Sequence, residues 1–135
     1  MKAMPKIMKF MTPNPHTVNA HLTLAQAEKM MLEHRIRHLP VLDGGRLIGV
    51  LSDRDIKMVS SFKDVDPNKV TVEDACTFDP ITVSPEAPLD EVVLMMSEKR
   101  IGSVLVVDNH KLVGIYTWVD ALRAMHEILN QRFHP

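Results

Sequence analysis

Apolar and polar positions alternate along this chain in one pattern that is written twice. Leu24, Ala27 and Met31, with Met30 beside them, recur at helical spacing, and Leu89, Val92, Val93 and Met96 do the same later in the chain. Each set predicts an amphipathic helix, ending near Arg35 and near Arg100. A short extended piece precedes each helix, PHTV in the first copy and PITV in the second, where proline restricts the residue before it. A compact apolar run follows, HLPVL or SVLVV, and reads as a strand. The polar tetrapeptides DGGR and DNHK read as turns; Gly44 and Gly45 accept positive φ at little cost. RLIGVL and KLVGIY are the returning strands, and Ser52 and Thr117 then open a second helix. The predicted order is strand, helix, strand, strand, helix, in both copies.

The copies overlay without a gap at an offset of 65 residues: residues 12–57 laid on 77–122 give 15 identities in 46 positions. That density makes the repeat real and directs the domain reading. Residues 1–60 form a first domain, 61–70 (SFKDVDPNKV) a linker, and 71–135 a second domain with a C-terminal helix. The fold class is α/β, two tandem β-α-β-β-α repeats. A copy of about 50 residues buries too little apolar surface to be comfortable alone. The two are therefore expected to pack together about a pseudo-twofold.

Charge and composition remove several function classes. The net charge is −1 and aromatics make up 4% of the chain, against the basic stripe and stacking rings of a nucleic-acid binder. The single Cys76 has no intrachain disulfide partner, so nothing points to an oxidising compartment. The start, MKAMPKIMKFM, lacks the apolar core of a signal peptide, and no window has the roughly 18 apolar residues of a membrane span. The expectation is a cytoplasmic protein with no membrane partner. The ten methionines read as adaptable core filling. His34 and His38 are four apart, but the helix ends between them, so no metal site is expected. No nucleophile with a base, no paired catalytic carboxylates and no phosphate-binding loop can be identified, and the chain is not expected to be an enzyme.

Two octapeptides carry the candidate chemistry: GVLSDRDI at 49–56 and GIYTWVDA at 114–121. In both, glycine on an apolar strand is followed by S/T-x-x-D. One reading is structural. Ser52 or Thr117 caps the helix, and the acid three residues on reaches back as in a capping box. The other is a ligand grip. Aspartate is shorter than the usual Glu or Gln of that box and is suited to accept two hydrogen bonds from a sugar diol. The free amides of a helix start attract an anion, and Gly49 and Gly114 admit close approach by a ligand or a neighbouring backbone.

With these motifs the chain resembles a tandem pair of CBS domains, also called a Bateman module. The first copy matches through KFMTPNPHTV, RIRHLPVLD and RLIGVLSDRDI, the second through DPITV, KRIGSVLVVD and KLVGIYTWVDAL, so the resemblance covers about residues 7–122. It departs at Cys76-Thr77-Phe78, where copy one has Met-Thr-Pro, and at the bulky Tyr116 and Trp118. The resemblance implies a regulatory module that binds an adenosine-containing ligand in a cleft between the copies: AMP, ADP or ATP, or in some members S-adenosylmethionine or NAD. By carry-over, Asp55 and Asp120 hold ribose hydroxyls, and Ser52 and Thr117 sit by ribose or phosphate. Thr17 and Thr82 line the pocket. His38, Leu39 and Pro40, with Ser103, Val104 and Leu105, form the strands that receive adenine. The ligand is regulatory; no prosthetic group is expected.

Arg54 in the first motif is replaced by Val119 in the second, so the first is richer in phosphate donors, unless Arg54 simply faces water. The expectation is two unequal sites. Residues 119–129 carry an apolar arc wider than one face needs. Either that helix lies deep in the monomer core, or it faces both its own core and a partner. A homodimer is expected, with output to a separate, unknown effector protein. The alternative is a ligand-free dimerisation or interaction module.

Overall fold

The computed structural model describes residues 2–135 and resolves into two compact units that do not follow the repeat boundaries. One unit comprises Met1–Pro15 with Ile81–Pro135, the other His16–Pro80. Each unit thus takes its leading segment from the start of the other repeat. The repeat boundaries 1–60 and 71–135 describe the sequence, whereas packing assigns the first residues to the second copy.

In the unit His16–Pro80 the chain runs β2 (Val18–Asn19), α2 (Leu24–His34), β3 (His38–Asp43), β4 (Arg46–Ser52), α3 (Asp53–Ser60), α4 (Val72–Ala75) and β5 (Thr77–Phe78). The strands form one sheet in the order β2-β3-β4-β5, with β2 parallel to β3 and the other pairs antiparallel. Residues 61–70 fold back on the start of α2, where Leu24 N–H donates to Val70 O and Ala25 N–H to Pro67 O.

The other unit repeats the plan. Its elements are α1 (Ile7–Phe10), β1 (Thr12–Pro13), β6 (Thr82–Val83), α5 (Leu89–Lys99), β7 (Ser103–Asp108), β8 (Lys111–Thr117) and α6 (Trp118–Phe133), with sheet order β1-β8-β7-β6. Ile7 and Val72, one repeat apart, are both fully buried and plug equivalent cores. Ile7 N–H donates to Ala87 O and Leu89 N–H to Pro5 O, tying the leading segment to this unit.

Local chemistry explains the ends of the elements. Arg35 and Arg100 close α2 and α5 with φ of 54°, in the left-handed region. Ile36 N–H reaches back to Met31 O and Ile101 N–H to Met96 O, each packing its apolar side chain under the helix it ends, as in a Schellman closure. The hairpin β3–β4 turns on Gly44 and Gly45 (φ 57° and 79°), and β7–β8 on Asn109 and His110 (49° and 64°). Both turns need positive φ at two successive residues, and the second meets that need without glycine.

Leu24, Ala27 and Met31 of α2 and Leu89, Val92 and Met96 of α5 are buried as their spacing predicts, while Val93 lies off the buried face at 37% exposure. The helix α6 differs from α3 in length, 16 residues against 8. It does not lie deep in the core: Asp120 and Ala124 are buried, but Leu122, Met125, Ile128, Leu129 and Phe133 are exposed. Among the described residues, no helix is long and apolar enough to cross a membrane.

Candidate functional site

Each S/T-x-x-D motif lies where a returning strand ends and a helix begins. Ser52 is the N-cap of α3 and Thr117 that of α6. Both residues are extended (ψ 160° and 170°), which turns their own N–H toward the first helical turn. The aspartates close full capping boxes. Ser52 N–H donates to Asp55 Oδ2 at 2.9 Å and Asp55 N–H to Ser52 Oγ at 3.0 Å. Thr117 N–H donates to Asp120 Oδ2 at 2.9 Å, and Asp120 N–H returns to Thr117 Oγ1 at 3.4 Å. Aspartate, though shorter than the usual Glu or Gln of such a box, does reach its own backbone: from an extended N-cap, the Asp carboxylate spans the gap with one oxygen.

The second carboxylate oxygen is what the capping role leaves over. Asp55 Oδ1 accepts no hydrogen bond from a described residue, and Asp55 is partly exposed. Asp120 is 6% exposed, and its Oδ1 accepts from Thr12 Oγ1 at 3.0 Å.

The motif glycines are required by the protein itself. A Cβ on Gly49 would stand 2.6 Å from Thr77 O and 3.1 Å from Cys76 Sγ; one on Gly114 would overlap the sulfur of Met11. The close approach expected of a ligand or backbone is taken by the leading segment, which pairs with the strand at Gly49↔Phe78 and Pro13↔Gly114.

The strand residues divide by face. His38 pairs with Ser52 in register, and Ser103 with Thr117, so each lies beside a helix mouth. Thr82 pairs with Leu105, and Thr17 comes immediately before the pair Val18↔Val41, the equivalent of Val83↔Val106. Leu39 and Val104 point the other way, into the two hydrophobic cores. Pro40 and Leu105 are also buried. At Leu39 and Val104, what remains to offer a ligand is backbone. Arg54 is exposed and enters no ion pair with a described residue, whereas its neighbour Asp53 lies 3.9 Å from Lys57 Nζ and 4.0 Å from Arg37 Nε.

The electrostatics of the α3 mouth are mixed. Burial pushes the His38 imidazole below its usual value; Asp53 and Asp55 pull it back up and Arg37 lowers it further. Burial raises the Cys76 thiol, and the Asp55 carboxylate adds to that. His34 stacks on His16, ring centroids 3.7 Å apart. No group of three or more metal-ligating side chains gathers among the described residues.

The model of the CBS domain family matches residues 7–61 and 72–127. The chain belongs to the CBS domain family. The matches begin at α1 and α4, so the family repeat includes the leading helix that each repeat lends to the unit built mainly from the other. Hypoxic response protein 1 of Mycobacterium tuberculosis is 36% identical over 111 residues, 82% of this chain and 78% of that protein. The L-aspartate semialdehyde sulfurtransferase of Methanocaldococcus jannaschii is 35% identical, but this chain spans only 21% of its length. Among solved structures, the CBS domain pair of protein MJ0100, in complex with 5′-methylthioadenosine and S-adenosyl-L-methionine, superposes with a TM-score of 0.83 at 30% identity, covering 93% of this chain and 98% of that one. CBSX2 in complex with AMP gives 0.76 at 29% identity, with coverages of 91% and 97%.

Proposed function

We propose that this CBS pair is a non-enzymatic regulatory module that takes an adenosine-containing ligand, AMP, ADP or ATP first among them, at the mouths of α3 and α6. The observation that carries the reading is the unoccupied lone pair of Asp55 Oδ1 beside the first-turn amides of α3. A carboxylate with one oxygen pinned by its own backbone is oriented in advance for a sugar hydroxyl, and the amides and Arg54 favour a phosphate. The adenosyl ligands bound by MJ0100 and CBSX2 support the ligand class. In this proposal Thr17, His38, Pro40 and Ser52 surround one nucleoside and Thr82, Ser103, Leu105 and Thr117 the other, with Leu39 and Val104 contributing backbone.

A ligand with the roughly 23 heavy atoms of AMP, at ~0.3 kcal/mol each, reaches a Kd of about 10 μM, suited to sensing a nucleotide pool. The signal passes to a separate effector, and the chain works as a homodimer in the cytoplasm.

Calorimetry with AMP, ADP, ATP and S-adenosylmethionine tests the ligand reading. Binding in the micromolar range that is lost in Asp55→Ala supports it. No heat, and no rise in melting temperature with any of the four, leaves the ligand-free interaction module. Equal losses in Asp55→Ala and Asp120→Ala would end the expected inequality of the two sites.

A further inference from the structure

The two mouths share one capping geometry, and within it they differ in the partner of the second carboxylate oxygen. Thr12 Oγ1 donates to Asp120 Oδ1 at 3.0 Å, across 108 residues of sequence. Thr77 is the counterpart of Thr12 one repeat on and occupies the same place in its sheet, yet it makes no hydrogen bond to Asp55. Thr12 is held there by its backbone: β1 pairs with β8 at Thr12↔Ile115, and the preceding α1 is anchored by fully buried Ile7. Both oxygens of Asp120 are therefore engaged, Oδ2 by its own capping box and Oδ1 by the leading segment.

A sugar diol needs acceptor lone pairs on the carboxylate it binds. At Asp55 one oxygen is open. At Asp120 the same oxygen already has a hydroxyl donor, chemically equivalent to the one a ribose would bring. We propose that Thr12 is the gate of the α6 mouth: its hydroxyl stands in for a sugar hydroxyl on Asp120, so the Asp55 mouth fills first and the Asp120 mouth only when Thr12 turns away. Thr12 is itself exposed. Its hydroxyl can turn from Asp120 to water, which makes the second site weaker rather than closed. Exchange of one hydrogen bond to a carboxylate for another sets the handicap at roughly tenfold in affinity. The inference rests on the nucleotide reading of the two mouths and adds to it an order of filling, set by a residue outside both motifs.

AMP calorimetry on the whole chain tests it with Thr12→Val, which keeps the branched shape and loses the donor, and Thr12→Ala as the second such variant. In wild type the expected isotherm is one tighter and one weaker step. Either variant should strengthen the weaker step about tenfold, or raise the stoichiometry from one to two where that step lay out of range. Thr12→Ser, which retains the hydroxyl, should match wild type, and Thr77→Val should leave both steps unchanged. In an Asp55→Ala background the remaining binding should still respond to Thr12→Val. AMP binding that is unaltered or weakened by loss of the Thr12 hydroxyl overturns the gate and leaves the nucleotide reading standing. No AMP binding by any variant overturns both.

Discussion

The carbonyl oxygen of Thr77 lies 2.6 Å from the point where a Cβ on Gly49 would stand. The glycine of the first motif is thus set by a strand arriving from the second repeat. Gly49→Ala must push β5 off the sheet, and backbone yields poorly, so a loss of about 1–3 kcal/mol is expected. At Gly114 the obstacle is the flexible side chain of Met11, and Gly114→Ala should cost less. Urea denaturation of the two variants checks the order. In Gly49→Ala, faster labelling of Cys76, which sits against Gly49, should accompany the loss.

Local features of the fold were legible in the sequence; the choice of partner for the leading segments was not. The helix ends at Arg35 and Arg100, the Gly44-Gly45 turn and the buried positions of α2 and α5 follow from spacing and turn chemistry within a few residues. Ile7 and Val72 carry no such local signal. Both precede the same Thr-bearing strand, and only tertiary packing decides which core each enters. The capping box was one of two readings of the motif aspartates, and the sequence could not decide it because reach depends on the ψ of Ser52 and Thr117. The Thr12–Asp120 bond was invisible for the same reason as the exchanged segments, since its partners are brought together by the sheet alone.

Stability should depend on pH through His38. Burial lowers its folded pKa below the 6.5 of the unfolded chain, so as pH falls the unfolded state takes up the proton first. The His38 contribution is therefore neutral above pH 6.5 and destabilising as pH drops through 6.5 toward the folded value. Asp53 and Asp55 oppose the shift and Arg37 reinforces it. Histidine NMR titration should show His38 below 6.5, lower still in Asp53→Asn and higher in Arg37→Gln. In His38→Gln, the part of the acid-side stability loss just below pH 6.5 should disappear.

Tyr116 is fully buried, and its hydroxyl has no hydrogen-bond partner among the described residues. Burial, with Asp120 nearby, pushes the phenol up to about 12. It is the only tyrosine in the chain, so absorbance titration reads it without interference. Folded protein should ionise near pH 12 and urea-unfolded protein near 10, with stability falling between those values as the unfolded state loses its proton first. Tyr116→Phe removes a donor that satisfies nothing, and the change in stability should lie between neutral and about 1 kcal/mol favourable. A loss above about 1 kcal/mol would mean that the hydroxyl has a partner.

The exposed face of α6 provides the test of the homodimer. Leu122, Met125, Leu129 and Phe133 follow one another at helical spacing along a helix of about 24 Å, and each is 47% exposed or more. Beside them, an apolar groove of about 360 Å³ is lined by Val93 of α5 with Leu122, Met125 and Ile128 of α6. A surface of this kind repays a second copy, since a twofold axis needs one self-complementary patch and presents it twice. Sedimentation at tens of micromolar should give a dimer for wild type and a monomer for Leu122→Lys with Leu129→Lys. The melting temperature of the wild type should rise with protein concentration and that of the double variant should not. Because both positions are exposed in the single chain, the double variant should keep its far-ultraviolet circular dichroism, separating a lost interface from a lost fold. A wild-type chain that sediments as a monomer would sink the homodimer and reserve this face for a different protein.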